Sequence, residues 1–227
     1  MANMNEPPAL PRSHTFATSF SGGTLSITRL SMRMAPWVRD VAPWALVAFA
    51  LSLPAEAQET SWRIVSGEVR VLCPLTVGGS FEATTTVIEG VVAADASGGL
   101  RGAIEVDLTM LDTGIELRNT HLRDTYLEVD RSQGFARAVL SAIALDGVDP
   151  RTFEGETAFR ATLRLHGVER SVSGVAQLAR TPDGIGVVAH FPVDLPDHAI
   201  QSPRYLGVGV RDQVQAEVRF LAVNETK

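Results

Sequence analysis

After its first sixty residues the chain alternates between apolar segments of about ten residues and turn-forming Gly, Asp and Pro. The clearest segment, 102–111, has apolar side chains at every second position, as expected of a strand with one buried face. Its apolar positions are Ile104, Val106, Leu108 and Met110. The predicted strands are 61–72, 80–94, 102–111, 135–145, 157–166, 171–179, 186–194 and 213–223. The pattern therefore predicts an all-β domain of about eight antiparallel strands.

Two architectures suit these strands: an up-and-down barrel and a two-sheet sandwich. The barrel is favoured because several strands are long, and because 87–94 and 136–145 are apolar on much of both faces. A barrel that holds a ligand inside and packs against other elements outside has this composition. The fold expected from this pattern is an antiparallel barrel of about eight strands with one or two short helices covering an end.

A short helix is predicted between the third and fourth strands, where 117–129 reads LRNTHLRDTYLEV. Helical spacing places one group of residues toward the barrel and a charged group on the other side. The inward group is Leu117, Leu122, Tyr126 and Leu127, and the outward group is Arg118, Asn119, Arg123 and Asp124. Asp112 or Thr113 is expected to cap the helix start. A second irregular segment, 196–209, is predicted to be a covering loop with one turn of helix.

The segment 32–57 has the layout of a signal peptide, with Arg33 and Arg39 before an apolar run at 42–53 and a closing Ala-Glu-Ala. The run is shorter than the roughly 20 residues that a membrane-spanning helix needs. Cleavage after Ala57 and export to the periplasm or beyond are expected. The alternatives are an uncleaved anchor and a buried helix. Residues 1–31 are interpreted as an untranslated or non-native extension, with translation beginning at Met32 or Met34, and residues 58–227 as the mature domain.

Charge and motifs exclude several function classes. The formal charge of −6, with Lys only at position 227 and Arg scattered singly, argues against nucleic acid and against a Lys-rich patch for anionic membranes. The single cysteine, Cys73, cannot form an intramolecular disulfide. No Gly-x-Ser-x-Gly motif is present, and no glycine loop fits a dinucleotide. The cluster of His190, Asp194, Asp197 and His198 has no established zinc spacing. Neither a cofactor nor a metal is expected, and a binding protein is favoured over an enzyme.

Five short motifs, taken together, resemble the YceI-like family over residues 61–222. They are Asp112-Thr-Gly-Ile115, Arg118-Asn-Thr-His121-Leu122-Arg123, Leu165-His166-Gly167-Val168, Pro203-Arg-Tyr-Leu206-Gly207 and Asp212-Gln-Val214. The resemblance implies a small, often periplasmic, bacterial lipid-binding protein whose lipocalin-like barrel encloses a polyisoprenoid or a similar long-chain amphiphile. Two positions depart from the family: Asn119 stands where an acidic residue usually follows the motif arginine, and Val65-Ser66 replaces a His-Ser pair. Without that carboxylate, Arg118 is expected to pair elsewhere or to face the ligand.

The residues predicted to contact the ligand fall into a wall and a closing end. The wall, taken from alternation, is Phe81, Ile104, Val106, Leu108, Met110, Phe135, Val139, Ile143, Leu163, Leu165, Val218 and Phe220; ordinary core packing is the alternative for each. Leu122, Tyr126 and Leu127 are expected to close one barrel end. Arg118 or His121 is expected to meet a polar or phosphate head group, unless His121 bonds a backbone carbonyl. His166 is expected to stabilise a turn.

Three functions therefore remain after the sequence is read. The first is an exported carrier of a long-chain lipid, for which a homodimer is possible. The second is a stress-response or structural interaction module with a packed interior and no ligand. The third is a lipid-modifying enzyme that uses His121 with Asp124 or Arg118 as acid and base.

Overall fold

The protein is a closed barrel of eight antiparallel strands. The computed structural model describes residues 60–95, 99–205 and 208–225, with only the backbone of residue 205. The barrel strands are β1 (Thr60–Pro74), β3 (Ile88–Ala94), β4 (Leu100–Asp107), β5 (Arg137–Leu145), β6 (Gly155–Leu165), β7 (Val168–Thr181), β8 (Gly184–Asp194) and β11 (Gln213–Asn224). They pair in the order β1-β3-β4-β5-β6-β7-β8-β11, and β11 pairs again with β1. The predicted all-β barrel of about eight strands is confirmed, and the sandwich is not the fold.

Short strands and helices complete the domain. The short strands are β2 (Ser80–Thr85), β9 (Arg204–Tyr205) and β10 (Val208–Gly209). The helical segments are a 3₁₀ turn (Leu108–Met110), α1 (Glu116–Thr120) continuing as a π-helical turn (His121–Tyr126), a 3₁₀ turn (Val129–Arg131), α2 (Gln133–Ala136) and a 3₁₀ turn (Pro196–His198). The predicted second strand, 80–94, is divided into β2, which pairs with the second half of β1, and β3, which pairs with the first.

The third strand ends earlier than its alternation predicts. The carboxylate of Asp107 accepts hydrogen bonds from the backbone N–H of Thr109 at 2.9 Å and from its hydroxyl at 2.6 Å. These bonds offer the backbone an alternative to the sheet, so the chain turns into 3₁₀ helix. Leu108 consequently points into the protein at 6% exposure, whereas Met110 is 57% exposed. The prediction of strand as far as residue 111 was wrong.

A bulge in β5 decides which of its side chains face the interior. Ala142 has a φ of 49°, and the register against β6 shifts between Ser141 and Ala144. Because the extra residue reverses the alternation, even-numbered side chains point inward before the bulge and odd-numbered ones after it. Val139 therefore shares the outer face with its cross-strand partners Glu105 and Arg164.

One end of the barrel is closed by the chain between β4 and β5. One edge of β2 pairs with β1, and the other edge forms a single β-bridge between Thr84 and Asp112. The two backbone N–H···O bonds of this bridge are 2.8 and 2.9 Å long. From there α1 and the π-helical turn run over the opening, and their last residues lead to the buried Leu127 and Val129. The predicted helical cover over one end is thus present as eleven continuous helical residues, 116–126.

Two buried histidines fasten this covering segment to the barrel. Nδ1 of His166 lies 3.2 Å from the carbonyl oxygen of His198, and its Nε2 lies 3.1 Å from Oε2 of Glu128. His198, 1% exposed, lies with Nδ1 3.1 Å from the carbonyl oxygen of Val168. The network joins the end of the covering segment to the β6–β7 turn and to the 3₁₀ turn after β8. The expected turn-stabilising role of His166 fits this arrangement.

We expect His198 to make the stability of the barrel depend on pH. Burial is the main cause that lowers its pKa, and Arg170 acts in the same direction, whereas Asp197 and the carbonyls of Val168 and Leu165 oppose them. An unfolded histidine titrates near pH 6.5, so below that pH the unfolded chain binds a proton that the folded chain does not. The free energy of unfolding should therefore fall as the pH decreases from about 6.5.

Urea unfolding at pH 7.5 and at pH 5.5 measures this effect. His198→Gln should be less stable than the wild type at pH 7.5 but should lose less stability on acidification. His121→Gln, at an exposed position of the helical cover, is the control and should keep the wild-type difference. Equal losses in the wild type and His198→Gln would contradict the assignment.

Candidate ligand-binding cavity

The barrel interior contains two chambers lined almost entirely by apolar side chains. The larger, about 160 Å³, lies beneath the helical cover and is here called the lid chamber. The smaller, about 80 Å³, is called the far chamber. Both volumes are the space available to the centre of a water molecule, and a single water needs about 10–15 Å³ of such space. Protein interiors contain few voids larger than that. The interior is therefore not packed as an ordinary core, which argues against a ligand-free interaction module.

The two chambers follow each other along the barrel. On β1, Trp62 lines the far chamber and Cys73 the lid chamber; on β11, Ala222 lines the far chamber and Val214 the lid chamber. Both walls include Ile104, Leu140, Phe191 and Val218. Eight residues of a strand tilted as in small barrels span about 20 Å along the axis. The two apolar chambers therefore lie end to end along the barrel and share part of their walls, an arrangement that suits an extended chain.

The helical cover contributes a row of side chains to this space. Arg118, Leu122 and Tyr126 are spaced four residues apart, so they lie on one side of the helix. Leu122 and Tyr126 line the lid chamber. Leu117, which was predicted to point inward, is instead 67% exposed.

Asn119, predicted to point outward, is 5% exposed and anchors the cover. Its Oδ1 accepts hydrogen bonds from the N–H and the hydroxyl of Thr113, and its Nδ2 donates to Oδ1 of Asp112, all at 2.8 Å. Asp112 and Thr113 therefore hold the helix through Asn119 and do not cap its start, where Ile115 stands without a side-chain cap. The hydrogen bond from Asn119 is the main cause that lowers the pKa of Asp112.

Most of the predicted wall residues do face the chambers. The lid chamber includes Phe81, Ile104, Val106, Leu108, Leu163 and Leu165, and the far chamber includes Ile104 and Phe220. Three predicted liners lie elsewhere. Met110 is exposed after the 3₁₀ turn, Val139 is on the outer face of β5, and Phe135 packs edge-on against the ring of His166 at 4.4 Å between centroids. As ligand contacts, the wall residues remain a prediction.

A groove of about 200 Å³ lies outside the lid chamber and is here called the mouth groove. It shares Phe81, Leu122, Tyr126, Pro203 and Val210 with the chamber, and its remaining walls are Leu75, Arg118, His121, Arg204, Val208 and Gly209. The guanidinium of Arg118 stacks over the Phe81 ring, with Cζ 4.3 Å from its centroid. His121 is exposed at the same groove. The helix therefore brings together the two residues predicted to meet a head group.

Sequence reasoning missed two short antiparallel strands whose residues line this groove. The segment 196–209, predicted as a loop with one helical turn, also contains β9 and β10, and β9 contributes Arg204. The strands are two residues long, too short for any periodic pattern to reveal them.

The thiol of Cys73 lies in the lid-chamber wall, where the residue is 9% exposed. Burial raises its pKa to about 11, and the positive charge of Arg118 partly offsets that rise. Since the thiolate is the nucleophile, a thiol with this pKa is unreactive near neutral pH. Cys73 therefore serves as part of the apolar wall.

Neither a metal-ligand cluster nor a membrane-spanning helix is found among the described residues. Within 60–95, 99–205 and 208–225, no three His, Cys, Asp or Glu side chains converge as metal ligands. None of the helices in these same ranges is long and apolar enough to cross a bilayer.

Comparisons with known proteins agree with this architecture. The sequence profile of the YceI-like domain matches residues 57–222. A polyisoprenoid binding domain from Saccharophagus degradans, implicated in plant cell wall breakdown, superposes with a TM-score of 0.56 at 15% identity, over 72% of this chain and 98% of that one. BcnA of Burkholderia cenocepacia superposes with a TM-score of 0.53 at 15% identity, over 70% and 96%. Among curated proteins none matches the chain significantly.

Proposed function

Because the chain belongs to the YceI-like domain family, we propose that it carries a long-chain apolar lipid of the polyisoprenoid class inside its barrel. The observation that carries the proposal is the pair of apolar chambers of about 160 and 80 Å³ lying end to end. Burying each methylene of a lipid chain contributes about 0.8 kcal/mol, so burial alone supplies the affinity. The polyisoprenoid binding domain with the same fold supports the choice of ligand class.

The proposed activity is binding and carriage without chemical change. His121, the base that an enzyme would use, lies on the exposed side of the mouth groove and not in the chamber where the chain is buried. The thiol in the chamber wall is held protonated by burial.

Lipid extraction and thermal unfolding test the proposal together. The full chain, expressed in bacteria and purified without detergent, is extracted with organic solvent for mass spectrometry, and the delipidated protein is titrated with geranylgeraniol. A long-chain lipid should be recovered. The added isoprenoid should also raise the melting temperature, since ligand at about 100 times Kd stabilises a fold by about 2.7 kcal/mol. Recovery of no lipid together with an unchanged melting temperature would refute the function.

Export to the periplasm belongs to the same proposal. Its support is the leader at 32–57, which lies outside the described residues, and the YceI-like family membership. Mass spectrometry of the mature protein from the periplasmic fraction should find Gln58 as the first residue. A cytoplasmic protein that retains Met32 or an earlier residue would contradict export.

A further inference from the structure

Basic residues line the mouth groove from two segments of the chain. Arg118 and His121 come from the helical cover, and Arg204 comes from β9. Among the described residues, no carboxylate contributes to the wall of this groove. Glu116, one turn before His121 on the same helix, is within 3.7 Å of Arg123. The charge of the groove is therefore opposite in sign to the net charge of the chain, which is −6.

Among the described residues, the two arginines of the groove form neither an ion pair nor a side-chain hydrogen bond. Of the fifteen arginines in the part of the chain that the structure describes, eleven form an ion pair or a side-chain hydrogen bond with another described residue. The other four are Arg118, Arg160, Arg164 and Arg204. Arg160 and Arg164 are exposed on the outer face of β6. Arg118, by contrast, is half-buried against Phe81.

A half-buried guanidinium without an anionic partner has lost hydration that it does not recover from the protein. Carboxylate and phosphate oxygens restore that loss, because the planar fork of donors on arginine matches their geometry and the hydrogen bonds are charge-assisted. The groove adjoins the lid chamber through Phe81, Leu122 and Tyr126. An anion in the groove can therefore be covalently continuous with an apolar chain in the barrel.

We propose that the mouth groove holds the anionic head group of the bound lipid, a phosphate or a carboxylate, between Arg118 and Arg204 with His121 beside them. The assignment rests on the proposed lipid-carrying function and narrows the ligand to anionic amphiphiles. The barrel then selects lipids by the length of their hydrocarbon chain, and the groove selects those with a negatively charged head group.

Two probes with the same chain and different heads test the assignment. Calorimetric titration of the delipidated full chain with geranylgeranyl phosphate and with geranylgeraniol compares a charged head with a neutral one. The phosphate should bind about 10- to 100-fold more tightly, as expected for hydrogen bonds to charged groups. Arg118→Gln and Arg204→Gln should each weaken the phosphate by about tenfold and leave the alcohol unchanged. Arg160→Gln is the matched control, because it removes an unpaired arginine away from the groove.

Each outcome bears on one level of the hypothesis. Equal affinity for the two probes would overturn the head-group assignment while leaving lipid carriage intact. Loss of phosphate affinity that is as large in Arg160→Gln as in Arg118→Gln would overturn it as well, since the effect would come from overall charge. If inorganic phosphate binds as tightly as the lipid phosphate, the head-group assignment is overturned and the groove is a site for free anions. Failure of both lipid probes to bind would refute the proposed function and the assignment with it.

Discussion

Replacing Ala216 with phenylalanine is expected to abolish the binding of long-chain lipid while the barrel stays folded. Ala216 lines the lid chamber from β11 at 7% exposure. A phenyl ring at this position occupies the space that the chain would take. If about five methylenes can no longer be buried, the loss is about 4 kcal/mol, or roughly a thousandfold in Kd.

Calorimetric titration with geranylgeraniol measures the loss, and thermal unfolding without ligand measures the fold. The melting temperature should not fall by more than a few degrees, because the ring enters space that is already present. Ala158→Phe, on the exposed face of β6, is the control and should bind as the wild type does. Ala138→Leu adds less volume to the same chamber, so its loss of affinity should be smaller. Undiminished affinity in a folded Ala216→Phe variant would place the ligand outside the barrel.

The alternation of apolar residues was sufficient to predict the barrel because each strand buries one face over most of its length. The prediction failed where a single local feature changed which side chains along a strand point inward. The hydrogen bonds that Asp107 makes to Thr109 end β4, and they turn Met110 outward. The bulge at Ala142 moves Val139 to the outer face. Neither event alters the apolar pattern, so periodicity alone does not reveal them.

The candidate site was predictable only in part for a different reason. Arg118 and His121 lie within a recognisable helical segment, and the residues themselves indicated a head-group edge. The proposed role of Arg204 depends on the absence of an acidic partner among the described residues and on its place in the two-residue strand β9, which lines the groove. Both are relations between segments more than eighty residues apart, which no local spacing encodes. Helical periodicity likewise placed Leu117 inside and Asn119 outside, because it could not foresee the polar cluster with Asp112 and Thr113.

Asn119→Asp, which restores the acidic residue usual in the family, is expected to destabilise this protein near neutral pH. Nδ2 of Asn119 donates to Oδ1 of Asp112 at 2.8 Å, and a carboxylate at 119 would place two acceptors of like charge at that distance. Two carboxylates in contact do not both ionise readily, so one pKa of the pair rises. The melting temperature should therefore be lower than that of the wild type at pH 7, and the difference should shrink as the pH falls and the pair takes up a proton.

The wild type should show the opposite trend at this site. The pKa of Asp112 is lowered, chiefly by the hydrogen bond from Asn119. Its contribution to stability is therefore complete above the unfolded value near 3.9 and is lost as the pH falls through the folded pKa. Melting curves from pH 7 to pH 3 compare the two proteins directly.

Two further variants separate charge from lost hydrogen bonds. Asn119→Ala removes the bonds to Thr113 and Asp112 without adding charge, so it should cost about 2 kcal/mol, or roughly 4–8 °C, at pH 7. Its difference from the wild type should narrow only below the unfolded aspartate pKa near 3.9, where the wild type itself loses the contribution of Asp112. Asn224→Asp makes the same charge change at an exposed end of β11 and should have little effect. A melting temperature for Asn119→Asp at or above that of the wild type at pH 7 would contradict the account. Asn119 would then be an interchangeable anchor, and the acidic residue of the family would fit this cover equally well.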